Sequence, residues 1–328
     1  MQFSTHVYPS RSESAQAVLE RVERAPEARV APLPGPRERG ALAKDLGLPG
    51  GVVSVAPLRS APLYLGLALV GVVALVAVVG LVYTPYDPNA MGVAARGVAP
   101  SLAFPMGSDQ FGRDILSRVM RGASLALLVG ATSVAIGLAA GAPLGALAGF
   151  ARGWADEGIM RLMDGLFAFP ATLLAIAIVG ALGPGLQNAV LAIGVAYVPI
   201  FARLARASVI SQTEADYVQA ARAVGCSPAR ILFRHILPNG LSPLIVQATT
   251  AFGGAILAEA ALSYLGLGVQ PPDPSWGQML NDAHNYLSVA PWLAVFPGLA
   301  IATTVLGFNL LGDGLRDWLD PRRRVARG

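Results

Sequence analysis

Charge is scarce in this chain. Only 13% of its 328 residues are Asp, Glu, Lys or Arg, while 54% are hydrophobic. Soluble domains carry about 25% charged residues, so a solvated globular surface is excluded and the class is integral membrane. Cysteine is nearly absent. Cys226 stands alone, which excludes an internal disulfide. Nothing around it makes a nucleophile or a metal site, so it reads as a small loop residue. The three histidines, His6, His235 and His284, are scattered and show no metal-ligand spacing. No Gly-x-x-x-x-Gly-Lys-[Ser/Thr] phosphate loop occurs, so an ATP site within the chain is not expected. The apolar spans contain no Ser/His pair and no paired Asp residues, which argues against an intramembrane hydrolase. Related halves and midplane ionisable groups, frequent in secondary transporters, are not seen either.

The early sequence also lacks an apolar run. Residues 1–60 are polar and mixed in charge, with Pro32, Pro34 and Pro36. They are expected to form a flexible tail with one short helix around residues 14–24. No signal peptide is visible there, so the first span is expected to act as an uncleaved anchor. The net charge of +4 is modest. Its basic residues sit at span edges, which fits topology and lipid contact rather than nucleic-acid binding.

What is present is a series of long apolar runs. A membrane helix needs about 20 such residues. Six all-α spans are expected, near residues 63–83, 122–150, 162–182, 186–206, 241–262 and 291–311, within a membrane domain over 61–314. Gly183-Pro184-Gly185 divides the third from the fourth. Lys and Arg placement puts both termini, the 152–161 loop and the 207–240 loop on the cytosolic side, with 315–328 as a basic tail. Arg96, Arg113, Arg118 and Arg121 lie on the outer side against that bias, the last two near a helix start.

The 207–240 loop carries the most information. Thr213 is expected to cap a short helix with Glu214 and Asp216 in its first turn. Val218, Ala221 and Val224 make its apolar face, and Gly225 ends it in left-handed geometry. Ser227 then caps a second helix with Pro228 at its first position. Ile231, Leu232, His235 and Ile236 form the inward stripe of that helix, and Pro238 is expected to stop it. Two short helices about a glycine joint can dock a soluble protein, or can lie on the lipid surface.

Here the chain resembles a known family. Gln219-Ala220-Ala221, three residues, Gly225, and then Leu237-Pro238 are similar to the Glu-Ala-Ala loop of ABC-importer permeases. Two positions depart. Gln219 stands for the Glu, which removes a charge but keeps a hydrogen-bonding side chain, and His235 stands for an Ile. Residues 106–114 (MGSDQFGRD), 164–170 (DGLFAFP), 235–239 (HILPN), 259–268 (EAALSYLGLG) and 272–277 (PDPSWG) resemble the C-type permeases of the dipeptide, oligopeptide and nickel importers. The likeness covers roughly residues 60–324.

The resemblance implies a six-helix permease of the type I ABC-importer architecture in the bacterial inner membrane. It implies a non-catalytic subunit paired with a second, homologous permease. Two cytosolic subunits that bind ATP and Mg, and an extracytoplasmic substrate-binding protein, complete the assembly. It assigns ATPase coupling to Tyr217, Gln219, Ala220, Ala221, Arg222, Gly225, Leu237 and Pro238. Phe111, Arg113, Asp114, Asp273 and Trp276 become candidates for contact with the binding protein. No cofactor is implied in this chain. Peptides lead as substrate, with glutathione and nickel complexes as alternatives.

Several residues keep two readings. Glu259, a costly charge among Ala and Leu, either lines the path or meets the second permease, or else touches water and headgroups at the interface. Asp164 is a path or gate candidate, or a local partner of Arg161. Pro143, Pro170 and Pro199 are hinges or static kinks. Gly130, Gly137, Gly141, Gly145 and Gly149 make a stripe for packing within the chain or against the second permease. Trp276 and Trp292 also fit interfacial anchors.

Overall fold

The computed structural model describes residues 61–319. The tail over 1–60, its expected helix near 14–24 and the end from residue 320 lie outside the described residues. Ten helices carry the described fold: α1 Ala61–Val82, α2 Ile115–Ala151, α3 Gly153–Phe167, α4 Ala171–Leu182, α5 Leu186–Thr213, α6 Asp216–Ala223, α7 over 228–239, α8 Leu241–Tyr264, α9 Trp276–Ala283 and α10 Trp292–Leu319. No strand occurs among the described residues. One isolated antiparallel bridge joins Ser108 to Asp114.

Five helices, α1, α2, α5, α8 and α10, are long and apolar enough to cross a membrane. A sixth crossing counts only if α3 and α4 together make one. These two are bent by 86° at their break, so the third span is not the continuous rod expected over 162–182. Pro170 is the cause. It lacks an N–H, disfavours helical geometry in the residue before it, and is itself extended (φ −52°, ψ 132°). At 12 residues, α4 is only about 18 Å long against a hydrocarbon core of about 30 Å. Other boundaries also shift. Helix α2 starts at Ile115 rather than near 122, because the Asp114 carboxylate accepts from the backbone N–H of Ser117 at 2.8 Å and caps it. Helix α5 runs on to Thr213. Helix α10 continues to Leu319, into the stretch expected as a tail.

The glycine stripe of α2 faces inward. A side chain at Gly137 would meet Tyr197, one at Gly145 would overlap the Ala202 backbone, and one at Gly149 would meet Arg206, all on α5. Gly130 instead faces the Phe252 ring of α8. The stripe therefore packs this chain on itself, with backbones approaching too closely for any larger residue. Pro143 and Pro199 lie inside α2 and α5 without ending them. Two apolar cores result. One joins α1, α2, α8, α9 and α10 around Ile115, Ile256 and Trp276, and the other joins α2, α4, α5 and α8 around Val129, Ile193 and Phe201. Phe252 links them by stacking on Phe308, with ring centroids 4.1 Å apart. Outward, α1 shows Leu65, Val72, Leu75, Val78 and Leu81 to the surroundings, as a helix solvated by lipid does.

Candidate functional site

Residues 213–240 form a bracket at one end of the bundle. Thr213 closes α5 and donates its hydroxyl to the Val209 carbonyl, so it does not cap the next helix. Helix α6 starts after Ala215, without a side-chain cap. It ends in a complete Schellman motif. The Cys226 N–H donates to the Ala221 carbonyl at 3.1 Å and the Gly225 N–H to the Arg222 carbonyl at 3.0 Å. Gly225 stands at φ 79°, where a β-carbon is strained. Helix α7 begins as expected, with the Ser227 hydroxyl accepting from the Arg230 N–H and Pro228 in its first turn. Pro238 does not stop it. Residues 231–236 instead widen into a π-turn, in which the Leu237 N–H reaches back to the Leu232 carbonyl, and the chain passes through Pro238 and Gly240 into α8. A proline has no N–H to give and its ring displaces the preceding carbonyl, so a widened turn lets the helix continue.

The bracket has a buried and an exposed side. Val218 and Ala221 of α6 pack with Ile231 and Ile236 of α7 on Ala146 and Val209. Val224, expected on that same apolar face, is 80% exposed instead, because α6 ends one residue earlier and the chain turns there. Tyr217, Gln219, Ala220 and Arg222 face outward. The Tyr217 hydroxyl donates to Gln212 Oε1 at 2.5 Å, and Gln219 Nε2 donates to the Thr213 carbonyl at 3.3 Å. Leu237 is half-buried and Pro238 exposed. The Ser208 hydroxyl, on α5, donates to the Gly240 carbonyl at 2.9 Å and ties the far arm to the bundle. A cavity of about 350 Å³ lies beneath, lined by Pro143, Ala146, Ala205, Leu232 and Leu244 among others.

Beside the bracket, ion pairs join α3 to α5. Both nitrogens of the Arg206 fork hold Asp156, at 2.5 and 2.6 Å. That guanidinium holds the Asp156 carboxyl below its ordinary range. Asp164 does not pair with Arg161. It accepts from Arg203 at 2.7 Å, while Arg161 turns to Glu157 at 2.6 Å, its neighbour one turn back. Sequence spacing along one helix offered Arg161; the packing of α3 on α5 supplied a better partner.

At the opposite end, most of the candidate contact residues turn inward. Arg113 is 6% exposed and pairs with Asp109 at 2.5 Å and Asp282 at 3.4 Å. Asp114 is fully buried as the α2 cap. Trp276 is 2% exposed, seated over Gly122, with its indole N–H donating to the Val119 carbonyl at 3.0 Å. It is a core residue, neither an interfacial anchor nor a surface contact. Only Phe111 and Asp273 face outward. Arg118 is 1% exposed, donates to the Pro88 carbonyl at 3.1 Å and lies 3.9 Å from Asp109. Glu259 is also enclosed, at 1% exposure, and accepts from the Ser263 hydroxyl at 2.6 Å. It is closed off from the surface of the chain. Ser263 in turn accepts from the Val269 N–H, so the carboxylate anchors the turn between α8 and α9. Trp292 is partly buried, and its indole N–H lies in this same region. No group of metal-ligating side chains occurs among the described residues.

Comparison with known proteins adds to this geometry. Residues 141–325 match the family model described as binding-protein-dependent transport system inner membrane component. A dipeptide transport system permease protein of Alkalihalophilus pseudofirmus is 52% identical over 225 residues, which is 69% of this chain and 74% of the relative. A glutathione transport system permease protein of Pectobacterium atrosepticum is 48% identical over 239 residues, 73% and 79% of the two chains. A chain of the MetNI methionine ABC transporter, solved in inward-facing conformations, is 20% identical and superposes with a TM-score of 0.52 over 60% of this chain and 93% of its own. That likeness concerns the fold.

Proposed function

The chain belongs to the family of binding-protein-dependent transport system inner membrane components, and from that premise we propose that it forms half of an ATP-driven import path for di- and oligopeptides. It is an integral inner-membrane permease subunit of the ABC-transporter class. In this reading α6 enters a cleft on a cytosolic ATPase, and both termini share that side. A second, homologous permease completes the path. Two ATPase subunits hold ATP and Mg, and an extracytoplasmic binding protein delivers substrate to the α9 end. Phe111 and Asp273 are the expected contacts there. The coupling residues are Tyr217, Gln219, Ala220, Ala221, Arg222 and Gly225 on α6 and its joint, with Leu237 and Pro238 at the root of the bracket.

The observation that carries the reading is the form of α6. Eight residues stand clear of the bundle on a packed underside, closed by a left-handed glycine. An exposed helical face on a packed underside suits docking by a second protein. Gentle extraction of the tagged chain, followed by mass spectrometry, tests the partners. A second permease and ATPase subunits are expected to remain bound, and a chain that came out alone yet moved solute in vesicles would refute the reading. Ala221→Asp places a carboxylate against Val209 and Ile236, and is expected to abolish uptake of radiolabelled alanyl-alanine while membrane insertion persists. Wild-type uptake at normal protein level would contradict the role of α6. The relative named for glutathione transport supports one alternative substrate. Competition of unlabelled glutathione against the labelled dipeptide separates the two.

A further inference from the structure

Helix α3 is broken from the chain at both ends. At its start Arg152 (φ 54°) and Gly153 (φ 59°) both stand in left-handed geometry, so the hydrogen-bond ladder of α2 does not run into it. At its end lies Pro170 and the 86° bend into α4. Between these breaks it is held sideways to α5. Met163 packs on Val198 and Ala202. Such an apolar contact resists separation but not sliding. The ion pairs resist sliding. Arg206 grips Asp156 with two parallel bonds, and Arg203 grips Asp164 while its guanidinium stacks 4.1 Å over the Phe167 ring. The acids lie eight residues apart on α3, and the pairing order is reversed between the helices. Two such anchors fix both the axial position and the rotation of α3 on α5. Arg152 adds a third link, 3.7 Å from Glu214, the residue just after α5. Helix α5 itself runs unbroken from Leu186 to Thr213, and α6 starts three residues later.

We infer that α3 follows α5 as one body, and that the Arg206–Asp156 and Arg203–Asp164 pairs carry displacement of α6 through α5 to α3 and, across Pro170, to α4. This rests on the reading of α6 as the ATPase-docking helix. The four charged residues are positioning residues. Arg203, Asp164 and Arg206 are exposed and Asp156 is half-buried. Exposed ion pairs add little to stability, and complex yield, measured beside transport, separates transmission from folding. Among the described residues, no other polar link ties the body of α3 to α5 in a fixed register.

The test uses the complete complex with its partner subunits in proteoliposomes, and measures radiolabelled alanyl-alanine moved per ATP hydrolysed. Asp156→Arg and Arg206→Asp are each expected to lower that ratio about tenfold, a typical coupling free energy between sites, with ATP hydrolysis and complex yield at wild-type levels. The double exchange, Asp156→Arg with Arg206→Asp, is expected to restore it. An unchanged ratio in the single variants overturns the inference, and so does a double exchange that assembles fully without restoring it. Should a reversed charge reduce complex yield, Asp156→Asn with Asp164→Asn reads the same loss of transmission. Absence of ATPase from the wild-type complex would instead defeat the reading of α6, so the two failures are distinct.

Discussion

The two ends of the bundle use the same chemistry and bury it differently. At the α9 end Asp109, Arg113 and Arg118 are each less than a tenth exposed. At the α6 end Arg206, Arg203 and Arg152 show 36%, 40% and 54% of their side chains, and of the acids opposite them Asp164 and Glu214 show more and Asp156 less, at 17%. Buried charges must keep their partners, because an unpaired charge in the interior is costly. Surface pairs exchange with water at little cost. Charges at the α9 end are therefore costly to disturb, while those at the α6 end set the register of α3 on α5 at little cost to stability. The buried side-chain atoms without a hydrogen bond among the described residues, including Asp114 Oδ1, Arg118 Nε and Gln278 Oε1, also lie at the α9 end, which places that end's polar demand in its interior.

Three substitutions sharpen or break this contrast. The largest effect is expected for Arg113→Ala, which removes the short ion pair of buried Asp109, leaves Arg118 at 3.9 Å as its remaining basic neighbour, and frees Asp282. It should cost about 3–5 kcal/mol, read as loss of monodisperse protein in a thermal series in detergent. A loss no greater than that of a surface variant would erase the distinction. Trp276→Phe comes next. It keeps the ring over Gly122 and removes the indole donor from the Val119 carbonyl, which retains its helical N–H, a loss of about 0.5–1.5 kcal/mol in the same series. The smallest effect belongs to the α6 end. Asp164→Ala should change stability by no more than about 1 kcal/mol, and any change should shrink further in high salt. A salt-insensitive loss as large as that of Arg113→Ala would show that the α6 end is as rigid as the other.

Much of this architecture is legible in the amino-acid sequence. Long uncharged runs mark membrane helices whatever their neighbours are, and α1, α8 and α10 begin within two residues of where the runs suggest. Ser227-Pro228 and Gly225 act through local backbone rules, so the joint and the start of α7 are legible too. Features that depend on distant residues are not. Asp164 has Arg161 one turn away, and only the packing of α3 on α5 offers Arg203. Trp276 lies in a polar loop between apolar runs, a position that suits an interfacial tryptophan, yet Gly122 opens a slot for its ring from a helix 154 residues earlier. Val224 satisfies the helical spacing of Val218 and Ala221, but a period says nothing of where a helix stops. Pro170 carries a local signal that is easily misread. A proline with aromatic residues before it, inside an apolar run, marks a bend as readily as a kink.

The solitary thiol has a practical consequence. Cys226 is the chain's only cysteine, sits directly after the left-handed joint, and is half-buried against Val218 and Ile231. The wild-type protein thus carries one addressable handle, placed by nature at the elbow of the bracket. Within this chain a nitroxide attaches at one place only, and its spectrum would follow that elbow.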